Sequence, residues 1–181
     1  MERLSVRMLR FMGAAFLLGA ALQAHAQTAA EPAVKAAFIH KFLGYVEWPT
    51  LPSQADAPLV IGTLGSDDVA QELERIVPTR PVGSRRVVVR KLAEGDSFKG
   101  LHALFIGRGE PATRAIVRQA REQGVLTITE TERGLELGSA INFVSADDRV
   151  GFEVSLDAAE RSGVRISSRM LAVARRVVPK S

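Results

Sequence analysis

Apolar positions follow two different rhythms along this chain. Between residues 33 and 47 the rhythm is helical. At about 100° per residue, Val34, Phe38, Ile39, Phe42, Leu43, Tyr45 and Val46 fall within one half of the wheel. His40, Gly44 and Glu47 lie opposite, with Ala37, Lys41 and Trp48 on the boundary. The spacing predicts an amphipathic helix over Ala33–Glu47 that places Tyr45 on the buried face. Pro49 is expected to stop it at Trp48, because the residue before a proline avoids the αR region.

After a Pro/Ser/Asp loop at Thr50–Ala57, short apolar runs alternate with helical patterns. Strands are predicted at Pro58–Gly65, Arg85–Leu92, Ala103–Gly107 and Val125–Glu130. Helices are predicted at Ser66–Val77, opened by capping residues, and at Glu110–Gln123, with Pro111 in the first turn and Gly124 just past the end. Continuous apolar strands between amphipathic helices point to a parallel sheet covered on both faces. The pattern then changes. Ala140–Val144 and Arg149–Ser155, separated by Ser145-Ala146-Asp147-Asp148, predict a hairpin. A short helix at Asp157–Arg161 and a final helix at Ser168–Val177 follow, the latter with Ser167 as N-cap and with Arg175 and Arg176 near its negative end. The predicted fold is a single-domain, three-layer α/β arrangement. Its mostly parallel twisted sheet is flanked by helices and carries an antiparallel hairpin at one edge.

The N-terminus changes the picture of where the protein works. Arg3, Arg7 and Arg10 precede the apolar run Phe11–Leu22, and Ala24-His25-Ala26 fits a cleavage site. Residues 1–26 therefore read as a secretory signal peptide and 27–181 as one mature domain. The run is too short to span a bilayer, so a soluble protein released into the periplasm is expected. The formal net charge is +4. The leader holds three Arg and one Glu, so the mature chain keeps only +2, which gives no support for nucleic acid binding. The chain has no Cys, which excludes disulfides, thiol chemistry and a lipid-modified cysteine anchor.

Candidate chemistry is sparse. His40 and His102 sit on separate elements without an obvious acidic partner, and neither an H-E-x-x-H nor a G-x-S-x-G motif occurs. Gly62–Asp68 (GTLGSDD) follows the first strand where a doubly wound sheet binds ligands. Its spacing is not G-x-G-x-x-G, however, and Asp67 and Asp68 would repel a phosphate. It reads best as a turn with an N-cap. A receiver-like acidic metal pocket is disfavoured because no Lys ends a later strand. Asn142, inside an apolar strand, is expected to face solvent or bond a loop, with a ligand contact as the alternative. The basic tail from Arg169 onward gives only weak grounds for lipid contact.

KAAFIHKFLGYVEWP, PLVIGTLGSDD, LHALFIG, GVLTITE and GSAINFV…DRVGFEVSLDAAERSGVRISSRMLAVA occur in this order over nearly all of the mature chain. Together they resemble the YfiR/HmsC family of periplasmic repressors. The resemblance implies binding to the periplasmic sensor region of an inner-membrane diguanylate cyclase, which lowers cyclic di-GMP and biofilm formation. It also implies sequestration by an OmpA-like outer-membrane lipoprotein, as in some systems of the family. Members of the family carry disulfide-forming cysteines; this chain has none, so redox control through it is excluded.

The expected function is thus protein–protein inhibition without turnover, cofactor or metal. The alternatives are a small-molecule-binding sensor domain acting on a histidine kinase or other receptor, and, third, a hydrolase. A homodimer is compatible with either binding reading. The only Trp and the only Tyr lie three residues apart at the end of the first helix. Trp48 is therefore expected either to plug the end of the domain or, with His40 and Glu47, to border a partner or ligand surface completed by Arg165 and Arg169.

Overall fold

The computed structural model describes residues 31–49, 57–146 and 149–180. The predicted leader, most of the Thr50–Ala57 loop and the Asp147-Asp148 turn lie outside the described residues. In chain order the elements are a helix seen over 31–43 (α1), β1 (Val46–Glu47), β2 (Leu59–Leu64), α2 (Asp67–Ile76), β3 (Val87–Leu92), β4 (Ala103–Ile106), α3 (Thr113–Glu122) and β5 (Leu126–Thr129). They continue with β6 (Ile141–Ala146), β7 (Arg149–Ser155), α4 (Leu156–Arg161), β8 (Arg165–Ile166), α5 (Ser168–Leu171) and β9 (Arg176–Val178).

The main sheet runs β3-β2-β4-β5-β6-β7-β9. The first five strands are parallel, β6 and β7 form the expected antiparallel hairpin, and β9 adds in parallel outside β7. Counted from β2, the first five follow the doubly wound order 2-1-3-4-5. Alternate residues feed two cores. Ala103 and Phe105 of β4 join α1, α2 and the hairpin residues Phe143 and Phe152 on one face. Leu104 and Ile106 join Ile116, Val117 and Ala120 of α3 on the other. All four β4 side chains are fully buried. Each large one contributes about 1.5–3 kcal/mol of transfer free energy, which is why this strand reads as an uninterrupted apolar run.

Two helix predictions are corrected. The first helix ends at residue 43, not at Glu47. The amides of Gly44 and Tyr45 bond back to the carbonyls of Lys41 and Phe42, tightening the last turn. Val46 and Glu47 then run extended, paired with Ile166 and Arg165 in a separate two-stranded ribbon. Past residue 43 the helical wheel no longer applies, and Tyr45 is exposed rather than buried. Within the helix, Lys35, Ala36, Ile39, Phe42 and Leu43 are buried while Val34 is 40 % exposed. The buried arc is therefore turned by roughly 50° from the predicted one.

The last helix is also shorter. It stops at Leu171, and Arg176–Val178 becomes a strand against Glu153–Ser155. Arg175 and Arg176 consequently do not complement a helix end. Arg175 donates to the carbonyls of Ala146 and Arg149, bracing the hairpin, and Arg176 pairs with Glu153.

Candidate functional site

Open sheets of this order bind ligands in the crevice where strand order reverses and at the helix start beside it. The crevice where strand order reverses, between the ends of β2 and β4, is shut. The Gly107 amide donates to the Leu64 carbonyl at 2.8 Å. The backbones are so close that a Cβ on Gly107 would overlap the carbonyl of Gly65. In the adjoining GTLGSDD stretch, Asp68 Oδ1 accepts from Ser66 Oγ at 2.6 Å and from the Val69 amide at 2.8 Å. Burial works against its charge, but these bonds and the nearby Lys35 cation outweigh it and hold its pKa below the usual aspartate value. Asp68 thus serves the turn and the start of α2.

A larger polar cleft of about 680 Å³ lies over the ends of β5 and β6, between Arg108, Glu130, Arg133, Glu136 and Arg176. Its charges largely cancel within the fold. Arg133 pairs with Glu136, and Arg176 holds Glu153 by two bonds of 2.9 and 2.8 Å. Glu130 accepts from Lys35 and, through its other oxygen, from the Arg108 amide at 3.0 Å. Asn142 is buried, not solvent-facing; its Oδ1 accepts from Thr129 Oγ1 at 2.8 Å beneath the loop containing Gly134.

Lys35 escaped the sequence reading, although the signal was present. It lies in the middle of the apolar arc of α1, a position where a lysine must find an acid or leave the interior. It finds two, Glu31 at 2.6 Å and Glu130. Burial opposes its charge, but the two carboxylates overcome that and raise its pKa.

The residues singled out around Trp48 separate into three places. Glu47 stands directly opposite Arg165 in the β1–β8 ribbon, so two segments more than a hundred positions apart meet in one exposed strip. The Ser167 amide donates to the Tyr45 carbonyl at 2.9 Å and extends that pairing. Arg169 lies beyond it, beside a groove shared with Tyr45. Pro49, Leu156, Arg165 and Ile166 border a second hollow. His40 is elsewhere: its Nε2 lies 2.7 Å from the carbonyl of Arg80.

Trp48 packs against the main core and meets His102 edge-on, with ring centroids 6.0 Å apart. Its Nε1 is buried without a hydrogen-bond partner, so any partner contact would use the ring edge. His102 Nδ1 accepts from the Val60 amide at 3.0 Å. Burial, helped by the charge of Arg85, lowers its pKa. An imidazole pinned in this way braces the sheet. Among the described residues, no group of three His, Asp or Glu is arranged to hold a metal, and no helix is long and apolar enough to cross a membrane.

Comparison with known proteins gives one family. A family model described as YfiR/HmsC-like matches residues 32–175, which span every element from α1 to the loop before β9. Its members are periplasmic and act as regulators of cyclic di-GMP signalling rather than as catalysts. No curated protein matches the chain.

Proposed function

Because the chain belongs to the YfiR/HmsC-like family, we propose that it represses an inner-membrane diguanylate cyclase by docking on that enzyme's periplasmic sensor region. Export occurs through the N-terminal leader, and an OmpA-like outer-membrane lipoprotein is a second, sequestering partner. The observation that carries the choice of surface is the β1–β8 pairing. It brings Glu47 and Arg165 into one cross-strand pair, with Trp48 immediately after it and Arg169 within four positions of Arg165. Exposed strips with opposite charges side by side and an amphipathic aromatic at the margin suit protein recognition. His40, held by the Arg80 carbonyl, is left out of this surface.

The test has two arms. Deleting the gene should raise cyclic di-GMP, and the rise should disappear when one membrane cyclase is also deleted. Glu47→Ala and Arg165→Ala proteins should melt like the parent yet bind the purified sensor region at least tenfold more weakly. Unchanged cyclic di-GMP after deletion would defeat the repressor reading. Full binding by both variants would move the surface elsewhere.

A further inference from the structure

We propose that the groove between α1 and α5 is a binding site for a small amphipathic monocarboxylate, an acid with an aryl or alkyl body and no counter-charge of its own. The groove encloses about 310 Å³, at the lower end of the range of small-molecule sites, roughly 300–1,000 Å³. Its floor is aromatic. Phe42 and Phe152 meet edge-to-face at 4.8 Å, Phe38 leans on Phe152 at 5.6 Å, and Met170 closes the base. A flat or flexible apolar body can stack there with little reorganisation.

The rim supplies the charge. Lys41 from α1 and Arg169 from α5 both border the groove, and both are exposed. Among the described residues, neither is drawn into an ion pair, whereas Lys35, Arg75, Arg133, Arg161 and Arg176 each hold a carboxylate. No acidic side chain lines the groove. Two cations on opposite walls, one with a planar fork, favour a single carboxylate and disfavour an amine. Tyr45, 40 % exposed at one end, adds a hydroxyl.

The apolar lip also lacks an internal explanation. Val173, which lines the groove, is 69 % exposed; Val34, 40 % exposed, lies outside the lining, one helical turn before Phe38. An occupant seated on Phe38 and Phe152 would cover part of this surface.

The inference is independent of the cyclase reading. It is tested by calorimetric titration of the mature protein with 4-phenylbutyrate, 4-phenylbutanol and 4-phenylbutylamine. The acid should bind at least tenfold more tightly than the alcohol, and the amine should not bind. Arg169→Gln and Lys41→Gln should each weaken the acid about fivefold or more, a loss typical of charge-assisted contacts, and leave the alcohol unchanged. Val173→Asp should abolish acid binding. Arg133→Gln, in the polar cleft, should bind like the parent. All four substituted side chains are exposed, and matching melting temperatures confirm folded variants. Equal binding of acid and alcohol, unaltered acid binding in both rim variants, or no acid binding at millimolar concentration would overturn the proposal. Sedimentation of the same samples covers the remaining occupant. A dimer that dissociates on Val173→Asp, in protein that binds no acid, would assign the groove to a second copy and also overturn it.

Discussion

The ammonium of Lys35 is bonded to the carboxylate of Glu130, ninety-five positions later in the chain, with both side chains almost completely enclosed. This contact fastens α1 to the end of β5, and Glu130 passes the link on to the loop after β4 through the Arg108 amide. A buried pair of this kind adds little net stability over an apolar substitute, but removing one partner strands the other. Lys35→Met should therefore lower unfolding stability by about 3 kcal/mol. Adding Glu130→Gln should recover part of that loss, because the amide no longer carries an unpaired charge. Urea denaturation of the two single variants and the double variant gives the coupling directly; additive losses would show that the contact is not the cause.

Trp48 offers a separation of volume from polarity. Its indole packs on the core, yet its Nε1 has no acceptor. Trp48→Ala should cost about 3 kcal/mol. Trp48→Phe should cost less than about 1 kcal/mol, since it keeps a ring and removes an unsatisfied donor. Comparable losses for the two variants in chemical denaturation would mean that the donor has a partner.

Gly134 predicts a steric failure. A Cβ there would overlap Asn142 Oδ1 and Thr129 Oγ1, which are bonded to each other in the interior. Gly134→Ala should destabilise by about 2 kcal/mol through overpacking and loss of that bond. Gly83→Ala serves as a contrast: it meets no atoms and is penalised only by its positive φ of 61°. Thermal melts should rank Gly134→Ala well below it.

His102 predicts a dependence on pH. Its folded-state pKa is depressed by burial and by Arg85. Unfolded chains take up this proton below about pH 6.5, whereas the folded protein resists until lower pH. The unfolded state therefore binds more protons in that window, and stability falls as pH drops from about 6.5 toward the folded-state value. Above about pH 7.5 the imidazole is neutral in both states and contributes no slope. His102→Asn keeps an acceptor for the Val60 amide and should flatten the curve below about pH 6.5. An unchanged slope in denaturation at stepped pH would show that another group sets it.

The order of strands and helices was legible because the central strands β2, β4 and β5 are largely apolar runs that pack on both faces, and each covering helix carries its own period. The hairpin was legible because two apolar stretches, Ala140–Val144 and the alternating Val150, Phe152 and Val154, flank a polar turn, and Ile141 and Phe143 face Val154 and Phe152 across it. The family was legible because its diagnostic stretches survive in order. What composition and period could not determine were the elements that exist only through a distant backbone. β1, β8 and β9 are two or three residues long, too short to carry a period. Val46 and Glu47 leave the helix because Ile166 and Arg165 offer them hydrogen-bond partners, and Arg176–Val178 leaves the last helix because β7 has an unpaired edge. The same holds for the site. The sequence marked Glu47, Trp48, Arg165 and Arg169 as chemically suitable, but their grouping, the detachment of His40 and the pairing of Lys35 with Glu130 depend on long-range geometry. Local patterning specifies which faces must be buried; only the assembled sheet decides which backbone and which charge lie opposite one another.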